Sequence, residues 1–135
     1  MTDGIITVES RFSVRATIDR LAAGAAAAGL LVFARIDHAA GALDAGLDLR
    51  PTELLLFGHP RGGTPLMAHC QLAGIDLPFK ALAWEDEHGQ AWLSWNDAEW
   101  LAARHHLDAG SAPAVQAISS GARALALAAA GQDPQ

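Results

Sequence analysis

The chain has 135 residues, 51% of them hydrophobic and 18% charged. That length suits one domain with its own core, and that composition excludes a disordered chain. Nine basic residues against fifteen acidic ones give a net charge of −6, which argues against nucleic acid as the main partner, since such binding draws on a basic field.

The lone cysteine, Cys70, excludes an internal disulfide and a multi-cysteine zinc site. Met1-Thr2-Asp3-Gly4 lacks the basic start of a secretory signal. The longest apolar stretch, Ala22 to Ala34, lies between Arg20 and Arg35 and falls short of the about 20 residues a membrane span needs. A cytoplasmic protein with no membrane partner is expected.

In chain order, Ile5 to Val8 reads as a strand. Ser13 is placed to cap a helix whose apolar face is Val14, Ile18, Leu21 and Ala25, with Gly29 just past its end. Leu30 to Ile36 runs without alternation and is apolar except for Arg35, the pattern of a strand covered on both sides. A short helix is predicted over His38 to Gly46, a connector over Leu47 to Pro51 and an interior strand over Glu53 to Phe57. The turn-rich Gly58 to Pro65 leads to a helix capped by Thr64 and ending at Gly74.

Phe79 to Asp86 and Ala91 to Trp95 form a hairpin about His88-Gly89. Its register depends on the loop. Two turn residues set Glu85 opposite Trp92, and three set Trp84 opposite Trp92. Asn96 and Glu99 stand in capping-box spacing before one helix, and Ser111 precedes the last, striped by Val115, Ile118, Ala122 and Leu125. The order β-α-β-(α)-β-α-β-β-α-α predicts an α+β fold: a single two-layer domain with a mixed sheet of about five strands and packed helices. It spans residues 1–131, with 132–135 a frayed tail.

Two sites suggest themselves. The Gly58–Pro65 loop joins a buried strand to a helix start, a place that attracts anions. Its candidates are Gly58, His59, Arg61, Gly63 and Thr64. Gly58 and Gly63 have phosphate-loop spacing, but Thr64 and Pro65 stand where Lys and Ser or Thr are needed, which excludes nucleotide hydrolysis there. In the two-residue register, Glu85, Asn96 and His105 converge on a pocket rimmed by Trp92, where a buried glutamate near a histidine is suited to acid–base or ligand work. His38 follows a strand end, a favoured place for sites. His38, Glu85 and His105 are the weak candidates for a metal. No Gly-x-Ser-x-Gly elbow is present, Cys70 lies on an apolar stripe, and no cofactor is indicated.

Several segments resemble one bacterial family, the domain of unknown function 302. They are Phe57-Gly58-His59-Pro60, Gly63-Thr64, Met67, Asp76-Leu77-Pro78, Trp84-Glu85-Asp86, Gly89, Trp92-Leu93-Ser94, Asn96 and Arg104-His105, preceded by His38 to Ala42, Gly46 and Pro51-Thr52-Glu53. The similarity runs from about Glu9 to Ile118. It implies a small α+β homodimer of unestablished role, and it marks His38, Glu85, Asn96, His105 and the Gly58–Thr64 loop as motif positions. His59 and Trp95 depart from the family's usual Asn and Tyr. The leading expectation is a homodimer that binds a small molecule or anion. The alternatives are an enzyme using a Glu/His pair or a metal, and a structural dimerisation module.

Overall fold

A computed structural model describes residues 2–133. The elements are β1 (Ile5–Glu9), α1 (Val14–Ala27), β2 (Leu31–Asp37), α2 (His38–Asp44), β3 (Thr52–Gly58), α3 (Pro60–His69), β4 (Phe79–Glu85), β5 (Ala91–Asn96), α4 (Ala98–Arg104) and α5 (Ala112–Ala130). Short 3₁₀ turns at Gln71–Asp76 and Ala109–Ser111 precede β4 and α5. The α+β class and the element order are those read from the sequence.

The strand order is β1-β5-β4-β3-β2, and all four pairings are antiparallel. The expected mixed sheet is therefore corrected. The crossover from β1 through α1 to β2 joins strands of like direction, but they are the two edges, with three strands between them. The parallel pair never touches.

Alternation along the strands builds one core. Leu55, Phe57, Phe79, Ala81, Ala83, Leu93 and Trp95 point to one face, where Val14, Ile18, Leu21 and Ala25 of α1 and Ala122, Ala126 and Ala129 of α5 cover them. Ser13 accepts from the Ala16 amide at 3.1 Å and starts α1 as predicted, and Gly29, at φ +80°, follows its end. The opposite face carries rows running Ile36-Leu54-Leu82-Ser94-Thr7 and Thr52-Trp84-Trp92-Glu9. Neither α1 nor α5 reaches this face, and its side chains stay half-buried or exposed.

Four local expectations change. The strand β2 is an edge, not an interior strand, and Leu31, Val32, Phe33 and Ile36 are 40–49% exposed. A bulge between Val32 and Ala34 turns Phe33 out of the ladder. The helix α3 begins at Pro60, capped by His59, so Thr64 and Pro65 lie inside it. Asp97, not Asn96, caps α4 and accepts from the Glu99 amide at 3.0 Å. Gln132, expected to fray, donates to the Glu9 carbonyl at 2.7 Å; residues 134 and 135 lie outside the described residues.

Candidate functional site

The hairpin register decides the fate of the first proposed pocket. Trp84 pairs with Trp92 and Glu85 with Ala91. Asp86 closes a three-residue loop: its amide donates to the Gln90 carbonyl at 2.9 Å, and its Oδ1 accepts from the His88 and Gln90 amides. Its Oδ2 accepts from the Trp92 indole at 2.8 Å. That indole bond, opposed by partial burial and aided by the two amides, holds the Asp86 carboxyl below its ordinary value of 3.8. Gly89 supplies the left-handed residue the loop needs, at φ +82°.

This register puts Trp84, Trp92, Ser94 and Asn96 on the open face and Glu85 on the other. The pocket expected from the two-residue register, with Glu85, Asn96 and His105 rimmed by Trp92, therefore does not form, because Glu85 faces away from Trp92 and Asn96. Trp92 and Asn96 share a face but stand four residues apart on one strand, about 13 Å. Trp84 stacks on Trp92 at 6.1 Å and donates to Ser94 at 2.9 Å, and Ser94 in turn meets Thr7 at 2.8 Å. The tryptophan rim is thus a sheet-surface ladder with its indole N–H groups occupied.

His105 is buried elsewhere. Its Nε2 meets Asp76 Oδ2 at 2.5 Å, and Arg104 bonds both Asp76 oxygens at 3.0 and 3.1 Å. The trio clamps the end of α4 to the turn before β4. The adjacent cavity is about 20 Å³, room for about one water. Asp76 was legible only as a motif residue, since nothing in its local spacing names its partner.

Glu85 lines a third place, a groove of about 420 Å³ shared with Glu53, Asp37 and Arg15. His38 is exposed at the start of α2. Among the described residues, no three His, Cys, Asp or Glu side chains gather as a metal site requires. Glu53, 5% exposed, is the buried charge that sequence reasoning missed. It accepts from Arg35 at 2.9 Å, and Arg35 also reaches Asp19 at 2.6 Å. Burial works against the Arg35 charge, but the bonds to Asp19 and Glu53 outweigh it and raise its pKa further. The cross-element partners Asp19, Arg35 and Glu53 leave no signal in local sequence.

The second predicted site keeps its residues together, with a different chemistry. Gly58, His59, Arg61, Gly63 and Thr64 all line one cavity of about 960 Å³. It runs between α3, α5 and the β2–β3 end of the sheet. Its walls are otherwise apolar, with Phe33, Phe57, Met67, Leu77, Ile118 and Leu125 among them. The backbone amides at the start of α3 are already used. Pro60 has none, the Arg61 amide donates to His59 Nδ1 at 3.1 Å, and those of Gly62 and Gly63 donate to the His59 carbonyl at 2.9 and 3.2 Å. The loop is thus no ready-made amide cradle. Its side chains edge a hydrophobic groove.

A single antiparallel sheet backed by helices, with an apolar groove beside an interior strand, defines an α+β domain. The chain belongs to the family described as domain of unknown function DUF302, which matches residues 6–125. The fold is similar to the crystal structure of an uncharacterized conserved DUF302 protein from Bacillus stearothermophilus. The TM-score is 0.80 at 19% identity, covering 92% of this chain and 96% of that one. The chain is 52% identical over 128 residues to proteins named fluoride-specific ion channel FluC 1 from Brucella suis biovar 1 (strain 1330) and Brucella abortus biovar 1 (strain 9-941). The match takes in 95% of this chain but only 50% and 47% of those proteins, so the chain spans about half the length of the curated relatives it matches. Among its described residues, no helix is long and apolar enough to cross a membrane.

Proposed function

We propose that this domain binds a small apolar molecule in the groove between α3 and α5, as a cytoplasmic homodimer. The observation that carries the groove reading is Gly121. It lies inside α5, where glycine costs about 1 kcal/mol relative to alanine. A Cβ built there meets nothing within 4 Å, so no close packing requires the glycine. It sits on the same stripe as Ala114, Ala117, Ile118 and Leu125, all facing the groove. A costly glycine with open space before it keeps room for something else. The volume falls within the roughly 300–1,000 Å³ of small-molecule sites.

The test uses an uncharged fluorescent probe, N-phenyl-1-naphthylamine. The wild-type chain brightens it saturably, and Gly121→Leu, which fills the groove while improving the helix, abolishes the signal with its circular dichroism unchanged. Absence of probe binding, or binding indifferent to Gly121→Leu, overturns the reading. A change in oligomeric state in that variant, without loss of probe, assigns the groove to a second copy instead.

The homodimer rests on the open sheet face. An antiparallel face turned to water normally alternates to polar residues, yet Leu54, Leu56, Leu82, Trp84 and Trp92 stand there. A second copy packed sheet to sheet supplies the missing layer. Light scattering finds a dimer that Leu82→Glu dissociates. A wild-type monomer at high micromolar concentration removes the claim.

Glu85 and His105 occupy different places, so they do not form the acid–base pair of the catalytic alternative. The channel activity in the relatives' names belongs, in this proposal, to the half of those proteins outside the match.

A further inference from the structure

We infer that the groove takes an amphipathic carboxylate, its hydrocarbon body along the apolar walls and its head at Arg61. The inference rests on the groove reading above and adds the charge of the ligand. Arg61 lines the cavity, and none of the lining residues is acidic. In a chain with fifteen acidic residues against nine basic ones, Arg61 stands exposed at the edge of a groove that no carboxylate lines.

The other arginines near acids are engaged: Arg15 and Arg35 with Glu53, and Arg104 with Asp76. Among the described residues, no ion pair or side-chain hydrogen bond involves the Arg61 guanidinium, and only its backbone amide is used.

The neighbouring groups fit the same head. His59 accepts at Nδ1, so its neutral ring carries the proton on Nε2 and has a donor to spare. Thr64 follows Arg61 by three residues in α3, on the same side of the helix. The consumed amides leave recognition to side chains, and a guanidinium fork matches a carboxylate in two parallel hydrogen bonds.

Competition against N-phenyl-1-naphthylamine tests the head separately from the groove. Decanoate displaces the probe from the wild-type chain at about three- to fivefold lower concentration than decanol, the advantage expected of a charge-assisted pair open to water. With displacement by each competitor scaled to the variant's own probe affinity, Arg61→Gln removes that preference, and Arg61→Lys restores part of it. Equal displacement by decanoate and decanol, or a preference that survives Arg61→Gln, overturns the carboxylate head while the groove stands. Failure of the probe to bind at all removes the groove, and this inference with it.

Discussion

Replacing Arg35 with methionine isolates a buried charge. The Glu53 side chain is 6% exposed and lies 2.9 Å from Arg35 Nε, whereas Arg15, its other cation, is 3.9 Å away and 72% exposed. Removing one partner of a fully buried pair costs about 3–5 kcal/mol, because the other charge stays behind unpaired. Arg35 is itself one-third exposed and Arg15 remains, so the expected loss is about 2–3 kcal/mol. An unfolding entropy of about 2.1 cal/mol/K per residue converts this to a fall in melting temperature of roughly 7–11 °C. Urea unfolding followed by tryptophan fluorescence measures it, with an unchanged m-value as the check that both states are preserved. Combining Arg35→Met with Glu53→Leu recovers a large part of the loss, since no charge is then left inside. A loss below about 0.5 kcal/mol for Arg35→Met alone places the variant among ordinary surface changes and refutes the assignment of Glu53 as a dependent buried charge.

The Asp86 carboxyl, held below its ordinary value of 3.8, stabilises the hairpin at pH above that value and loses the contribution as pH falls through its lowered folded value. Asp86→Asn is therefore less stable than wild type from about pH 5 to 8, and the gap closes in stronger acid; a gap that widens there contradicts the assignment. Gly4 sits at φ +77°, and a Cβ built there overlaps the Trp100 ring. Gly4→Ala displaces that ring and destabilises the chain by about 1–3 kcal/mol, read by thermal unfolding, whereas an unchanged midpoint shows that the contact yields freely.

Local chemistry made most of the architecture legible. The apolar stripe of Val14, Ile18, Leu21 and Ala25 and the cap Ser13 gave α1 without tertiary information, and the strands appear close to their predicted positions. What failed depended on partners distant in sequence. Leu30 to Ile36 spelled cover on both sides, and the chain alone leaves β2 at an edge; the apolar pattern reports what wants burying, not what is there to bury it. The hairpin register turned on one loop residue, because Asp86 bonds across Glu87-His88-Gly89 and so favours the three-residue loop. That single step moved Glu85 to the face opposite Trp92 and scattered the expected pocket. The Gly58–Thr64 loop was found because its residues are contiguous. Its apolar surroundings came from α5 and β2, which no local window includes.

The bulge at Phe33 has a consequence for behaviour in a crowded solution. An edge carrying Leu31, Val32 and Ile36 at 40–47% exposure offers a template on which a stray extended segment can add as a sixth strand, the first step toward filaments. Displacing one residue from the ladder breaks the run of regularly spaced donors and acceptors between Val32 and Ala34, so an incoming strand cannot keep register past that point. The irregularity that tilts an aromatic ring outward thereby also acts as a guard against end-on growth, and straightening it by deletion of Phe33 leaves a flat, sticky border.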